Sequence, residues 1–330
     1  MTNRSACVRT HANIALAKYW GKADIARNLP AVPSLSLTLA GMRTTTEVSF
    51  SDELAADELV LGGKLQQGKP AERASKLLNE VRALAGVTTF ARVRSHNDFP
   101  TASGLASSAS GFAALAFAAV TALGVDVTPE RITALARAAS ASAARSLYGG
   151  YVELLAGAAH ASRVAPPEHW PLTMLVAVTS EAAKDTGSTD GMQHTARTSP
   201  YYASWVADAP RLFDEVKAAV LAKDFERLAP AVEQSALAMH ASMLAASPAL
   251  IYFRPATLAV IETVRALRRA GTPVCFTIDA GPHVKVLVEP HDAAAVKQRL
   301  AAAEGVLRVL ESAPGPDATL LPAGAPELLA

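Results

Sequence analysis

The chain has 330 residues, half of them hydrophobic and 18% charged, with a formal net charge of +1. That length holds two ordinary domains with a sizeable core, and the composition excludes a disordered or fibrous chain. The near-neutral charge excludes a broad cationic field for nucleic acid or an acidic membrane. Two distant cysteines, Cys7 and Cys275, read as small buried hydrophobes of a reducing compartment. The first residues lack the apolar core of a signal peptide, and the longest apolar run, 111–125, is too short and too rich in Gly and Ala to span a bilayer. A soluble, cytoplasmic protein is expected. No His-Glu-x-x-His or Cys-x-x-Cys occurs, so no transition-metal site built from His or Cys is expected.

Residues 8–16 predict a first strand, which leads into the polar-aromatic segment Ala17-Lys18-Tyr19-Trp20-Gly21-Lys22. SLSLTL at 34–39 and TTTEVSF at 44–50 alternate with period two and predict two half-buried strands. At 72–86 a helical period puts Leu77, Leu78, Val81 and Leu84 on one face and ends at Gly86. FARVRSHND at 90–98 is a further alternating strand. In NDFPTASGLASSASGFAALAFAAV at 97–120, Pro100 and Gly104 break regular structure, and Ser107, Ser108 and Ser110 stand at the start of an Ala/Phe/Leu helix. Thr128-Pro129-Glu130 caps the next helix. It turns Ile132, Leu135 and Ala139 inward and runs through SASAARSLY to Gly149-Gly150. YVELLAG at 151–157 is a strand, and VAPPEHWP at 164–171 marks the domain boundary, giving domains at 1–168 and 169–330. The second half opens with the strand LTMLVAVT. Helices are predicted at 201–222, 225–246 and 256–270, then a strand–turn–strand at 274–290 and a last helix within 291–305. The tail after Glu311 has no period. The mixed order argues for α+β halves and against a doubly wound parallel sheet.

Five loops carry candidate chemistry. At 102–110 a small-residue loop meets a helix N-terminus, whose free N–H groups and positive dipole end suit a phosphate chain; a Ser-rich cap packed on its domain is the alternative. The Gly-Lys-Ser/Thr ending of a Walker loop is missing. AKYWGK is a cationic, aromatic patch or a solvated basic turn. In SASAARS, Ser140, Ser142 and Arg145 lie within about a turn and a half of helix, and Arg145 can grip a carboxylate or phosphate with two N–H groups or lie on the surface. Asp279 ends an apolar strand before Ala-Gly-Pro, either as a turn cap or as a carboxylate held rigidly at a cleft. KDTGSTDGM at 184–192 is a surface loop or a lid that brings a lysine and hydroxyls to a phosphate.

The order and wording of these segments are specific. PTASGLASSASG resembles the phosphate-binding motif of the GHMP kinases. More closely, NIALAKYWGK, PSLSLTL, NDFPTASGLASSASGFAAL, RSLYGGYVE, DTGSTDGM, TSPYYASW and TIDAGPHVKVL together resemble the diphosphomevalonate decarboxylases, from about residue 8 to 289. The resemblance implies an α+β, two-domain GHMP kinase fold. Its N-terminal half would be like domain 2 of ribosomal protein S5 and its C-terminal half ferredoxin-like, with the active site in the cleft between them. It also implies a cytoplasmic homodimer that takes ATP with Mg²⁺ and mevalonate 5-diphosphate to isopentenyl diphosphate, CO2, ADP and phosphate. By resemblance, Asp279 orients or deprotonates the 3-hydroxyl, Lys18 is the cation at the transferring phosphoryl, and Arg145 grips the substrate carboxylate. Tyr19, Trp20, Lys22, Ser140 and Ser142 hold the substrate diphosphate. Ala102, Ser103, Gly104, Leu105, Ala106, Ser107, Ser108 and Ser110 cradle the nucleotide phosphates, with Ser108, or alternatively Ser107, nearest the γ-phosphate and Mg²⁺, and Lys184 and Ser188 close over the nucleotide. The chain departs from the pattern in ASASA, where some relatives carry GSGSA, and in His283, where many carry Asn, a change that would alter the rim of the site. The tail has no family counterpart and is expected to be flexible or a late edge element. Same-fold alternatives are a phosphomevalonate decarboxylase and a mevalonate 3-kinase; a non-catalytic binding protein is the alternative of another class.

Overall fold

The computed structural model describes residues 4–99, 107–182, 185–322 and 324–325. Its first half is built on β1 (Ser5–Ala17) and β4 (Ser34–Phe50), antiparallel along most of their length, with the short pair β2 (Lys22–Asp24) and β3 (Leu29–Pro30) in the connection. β5 (Glu58–Leu61), β6 (Lys64–Gln66) and β7 (Ala91–Asn97) continue the sheet beside one end of β4; β8 (Tyr151–Leu154) and β9 (Ser162–Ala165) continue it beside the other. Helices α1 (Lys69–Ala85), α2 (Ser107–Ala122) and α3 (Pro129–Ala139) join one core through Leu78, Val81, Leu115 and Leu135; α2 packs on β1 and β4 of this sheet, and α1 and α3 pack against α2. The second half has a four-stranded antiparallel sheet made of β10 (Thr173–Val178), β11 (Val274–Ile278), β12 (Val284–Val288) and β13 (Arg308–Ser312), in the order β11-β12-β10-β13. Its helices are α4 (Ser188–Thr198), α5 (Tyr202–Ala222), α6 (Phe225–Leu244), α7 (Pro255–Arg269) and α8 (Ala293–Ala301). Among the described residues only β5 and β7 pair in parallel, so the fold is α+β as the element order implies. None of the described helices is long and apolar enough to cross a membrane.

One apolar core belongs to both halves. Ile14, Leu16, Leu35 and Leu37 from the first sheet pack with Val176 and Leu287 of the second and with Val216 and Val232 of α5 and α6. Each such side chain contributes about 1.5–3 kcal/mol when fully buried. A core of this kind fixes the end of β1 relative to the end of β11, which is where the site lies.

Several elements differ from the sequence reading. SLSLTL and TTTEVSF are one strand, β4, and its polar positions Ser34, Ser36 and Thr38 are fully buried rather than solvent-facing. Leu35 and Leu37 face the shared core, while Ser34 and Ser36 face Arg145, so both sides of the strand are covered. In α1, Leu84 is 41% exposed because the buried arc is turned toward Arg82, which pairs with Asp57 at 2.9 Å; Gly86 ends the helix at φ +67° as expected. Thr128 caps α3, but α3 stops at Ala139: Ser140 is extended and a 3₁₀ segment, Ala141–Ser146, follows. Serine side chains compete with the helical ladder and favour such breaks. The segment read as a loop or lid is helical from Ser188. The tail is an edge element. β14 (Thr319–Leu321) pairs antiparallel with β1, and the chain leading to it is sewn to β4 by Ala40 N–H to Ala313 O at 3.0 Å and Gly315 N–H to Thr38 O at 2.7 Å.

Candidate active site

β1 leaves its sheet after Ala17, and the next residue is held by both halves of the molecule. The Lys18 N–H donates to Ser235 Oγ on α6 at 2.9 Å, and its Nζ donates to Ala15 O at 2.8 Å and to Asp279 Oδ1 at 2.6 Å. Asp279 follows directly on β11 in a turn where the Gly281 N–H donates to its carbonyl at 2.7 Å. Its other oxygen, Oδ2, lies 3.2 Å from Lys285 Nζ on β12. The two lysine side chains are 1% and 0% exposed and the carboxylate 25%, so only the acid reaches solvent to any extent. Burial pushes Lys18 down to about 8, against the pull of Asp279. Burial would raise the Asp279 carboxyl, but the charges of Lys18 and Lys285 hold it well below the usual carboxylate range. His240 on α6 is kept neutral by burial, its pKa pushed down to about 3, and its Nε2 lies 3.2 Å from the Asp279 carbonyl.

Arg145, from the 3₁₀ segment, is 2% exposed. Its Nε donates to Ser36 Oγ at 3.0 Å and its Nη1 to Ser34 Oγ at 2.6 Å. Burial lowers it to about 10, which leaves it charged at neutral pH. Among the described residues it forms no ion pair with a carboxylate. A buried cation met only by neutral hydroxyls is suited to an incoming anion.

These groups open on a cleft of about 1540 Å³. Lys18, Tyr19, Trp20, Lys22, Ser107, Ser108, Ser140, Ser142 and Arg145 line it from the first half of the chain, and Ser188 and Asp279 from the second. The AKYWGK segment is no solvated turn. Trp20 is 2% exposed and packs with Met192, Trp205 and Tyr252, and Trp205 Nε1 donates to its carbonyl at 2.8 Å. Gly21, at φ +115°, allows the turn: a Cβ there would sit 2.1 Å from the Tyr202 hydroxyl. Ser140 and Ser142 bring their Oγ atoms within 3.4 Å of each other. The first turn of α2, at Ser107 and Ser108, reaches the cleft and contains no acidic residue to oppose the positive end of the helix dipole.

The chain matches the diphosphomevalonate decarboxylase-like N-terminal domain over residues 10–165 and the mevalonate 5-diphosphate decarboxylase C-terminal domain over residues 174–311. The chain belongs to the diphosphomevalonate decarboxylase family. It is 38% identical over 299 residues to the diphosphomevalonate decarboxylase mvd1 of Aspergillus fumigatus, across 83% of this chain and 74% of that protein. The Candida albicans diphosphomevalonate decarboxylase is 36% identical, across 86% and 83%. The mevalonate diphosphate decarboxylase structure from Staphylococcus aureus superposes with a TM-score of 0.90 at 36% identity, covering 96% of this chain and 98% of that one. A structure described as MDDEF in complex with MVAPP, AMPPCP and magnesium does so with a TM-score of 0.90 at 39% identity and the same coverage.

Within this family member, two residues expected at the cleft lie elsewhere. Ser110 is fully buried under the first turn of α2, its Oγ 2.6 Å from Thr44 Oγ1, and does not line the cleft. His283 is not on the rim. It is fully buried, its Nδ1 accepts the Thr179 N–H at 3.2 Å, and it ties the Asp279 turn to the end of β10. Ala102, Ser103, Gly104, Leu105, Ala106 and Lys184 lie outside the described residues. Four residues were missed. Lys285 is a lone cation inside an otherwise apolar strand, a signal that demands a buried partner. Ser34 and Ser36 carried a signal that was misread, because alternation does not say which face meets water. Arg73 lines the cleft from α1, its guanidinium 4.5 Å above the Phe112 ring and its Nη2 2.8 Å from Ala139 O. It lowers the Lys22 pKa further, beyond the larger effect of burial, and nothing in the spacing of ERASKLL marked it.

Proposed function

We propose that the protein converts mevalonate 5-diphosphate and ATP to isopentenyl diphosphate, CO2, ADP and phosphate in the cleft between the two halves. The chain divides near residue 168 into a half like domain 2 of ribosomal protein S5 and a ferredoxin-like half. The observation that carries the reading is the Lys18–Asp279 pair, at 2.6 Å, which shares one cleft with a cationic hydroxyl cluster and the N-terminus of α2. The substrate's tertiary hydroxyl is a poor leaving group. Transfer of the γ-phosphoryl of ATP to it makes a phosphate ester, which departs as phosphate while the C–C bond to the carboxylate breaks. The electron pair of that bond becomes the new double bond and CO2 leaves.

Asp279, anchored by its two lysines, accepts a hydrogen bond from the 3-hydroxyl and fixes the attacking oxygen. Lys18 supplies positive charge where negative charge builds during phosphoryl transfer. Arg145 holds the substrate carboxylate until it leaves as CO2. Lys22, Ser140 and Ser142, with Tyr19, Trp20 and Arg73 around them, take the diphosphate. Ser107, Ser108 and the first turn of α2 take the nucleotide phosphates, and Ser188 closes on them from α4. Among the described residues no three His, Cys, Asp or Glu side chains are grouped to hold a metal ion. The Ser108 hydroxyl would meet a Mg²⁺ ion carried by the nucleotide phosphates, where the ion would supply positive charge against the developing negative charge. A homodimer in the cytoplasm completes the proposal.

The test is to supply mevalonate, its 5-phosphate and its 5-diphosphate separately with ATP and to measure CO2 and ADP. Equimolar CO2 and ADP from the diphosphate alone is the expected result. Equal turnover of the monophosphate would replace this reading with phosphomevalonate decarboxylation, ADP without CO2 would make the protein a kinase, and no ADP release would make it a binder.

A further inference from the structure

The carboxylate of Asp279 carries a lysine on each oxygen. Lys18, on Oδ1 at 2.6 Å, lines the cleft. Lys285, on Oδ2 at 3.2 Å, does not: its side chain is fully buried in β12. The charged and titratable groups that face this pair are Arg145 from the 3₁₀ segment, the neutral His240 from α6 and, in the turn before β12, His283, which burial and the Lys285 charge also keep neutral and whose carbonyl lies 3.4 Å from Lys285 Nζ. The wall therefore carries three cations against one carboxylate, an excess of positive charge that a bound anion offsets.

A single buried lysine–aspartate pair would lock both partners to each other. At 2.6 Å in a low-dielectric setting, withdrawing Lys18 toward a phosphoryl group would leave the acid buried and unpaired, which is strongly unfavourable. The second lysine changes this. With Oδ2 held from behind, Asp279 keeps its charge and its orientation whichever way Lys18 turns. Lys285 also repels the Lys18 ammonium, which loosens the front contact further.

We propose that Lys285 is a positioning residue which holds Asp279 from the rear and so releases Lys18 to serve the reacting groups in the cleft. It touches neither substrate. It acts through the acid, and its signature lies in how the front pair titrates and how the two positions couple. The proposal rests on the decarboxylase reading for its kinetic arm only.

The kinetic arm compares wild type with Lys285→Met and Lys285→Gln, both neutral, and Lys285→Arg, which keeps the charge. In the neutral variants kcat falls at least about tenfold while KM for ATP and for mevalonate diphosphate stays within about twofold. The alkaline limb of the kcat profile, set by Lys18, moves up by about one pH unit or more, because the like charge on the other oxygen of the same carboxylate no longer holds Lys18 down. Lys285→Arg leaves the limb in place. An alkaline limb unmoved in both neutral variants overturns the proposal, as does a defect confined to KM. The second arm needs no turnover. Thermal unfolding of wild type, Lys285→Met, Asp279→Asn and the double variant forms a cycle. Lys285→Met lowers Tm in the wild-type background and raises it, or leaves it unchanged, in Asp279→Asn, where the lysine has lost its carboxylate. Additive Tm losses refute the coupling. If the neutral variants do not fold, folding must return in the Asp279→Asn background, and failure to return counts against the proposal. Should wild type fail to turn over the diphosphate, the unfolding cycle still decides the coupling, so the two readings fail separately.

Discussion

Replacing Asp279 with Asn tests the centre of the site through both stability and rate. The substitution keeps the shape and one hydrogen-bond acceptor but removes the only negative charge between Lys18 and Lys285. Two lysines, 1% and 0% exposed, are then left buried without their counter-ion. Breaking a buried pair in this way costs about 3–5 kcal/mol. The acid is 25% exposed and Asn still accepts from one ammonium, so the low end applies, about 3 kcal/mol. At roughly 2 °C per kcal/mol for a chain of this size, Tm falls by about 6 °C. The sign with pH follows from the depressed carboxyl. Its contribution to stability is complete above the unfolded pKa of about 3.9 and is lost as pH falls from there through the folded value. The carboxylate's own part of the difference is therefore constant from pH 5 to 7 and narrows only in stronger acid. Lys18, without the Asp279 charge that raises it, titrates lower in the variant, so the difference also narrows as pH rises through that lowered value. In the same variant kcat drops by several orders of magnitude with KM nearly unchanged, because the lost interaction belongs to the transition state. Calorimetry at pH 5, 6 and 7 beside steady-state ADP release checks both. A variant with wild-type Tm and near wild-type kcat would falsify the assignment of Asp279 as the paired acid of the reaction.

Lys18, pushed by burial to about 8, sets a descending limb in the wild-type rate: kcat falls as pH rises through about 8, and Lys18→Met removes that limb together with most of the rate while substrate binding persists, as isothermal titration will report. Ser108→Ala weakens the ATP side by removing one hydroxyl from a cradle whose backbone donors remain; a defect seen only in mevalonate-diphosphate affinity reverses the assignment of that end of the cleft. The terminal substrate phosphate raises kcat/KM by at least about 2–3 kcal/mol, the scale of charge-assisted hydrogen bonds. Lys22→Met erases much of that preference, whereas Arg145→Lys weakens mono- and diphosphate alike, since a lysine cannot keep both the Ser34 and Ser36 contacts and the two-pronged grip; kcat/KM for both substrates on the three proteins decides.

Local patterns carried most of the element order and the family. Period-two spacing marked β7, short apolar runs marked β1, β10, β11 and β12, and helical spacing marked α5 to α8, because each depends on residues a few positions apart. Thr128 and Gly86 marked their helix ends through side-chain and φ preferences that are also local. The residue types at Lys18, Arg145 and Asp279 were legible as candidate chemistry for the same reason, and the seven separated stretches tied them to one family. What the sequence left open was every property that depends on two distant segments meeting. Whether Ser34 and Ser36 faced water or an arginine was set by where the 3₁₀ segment packs, 109 and 111 residues away in the chain. Ser110 had the residue type of a phosphate ligand, yet α2 packs so that it points at Thr44. Lys285 became part of the site only because β11 and β12 pair with Ile278 opposite Val284, which brings its ammonium beside Asp279. The sequence by itself determined which residues had the chemistry. Tertiary structure decided which of them share a cleft, because charge pairing and burial follow distances that no local spacing encodes.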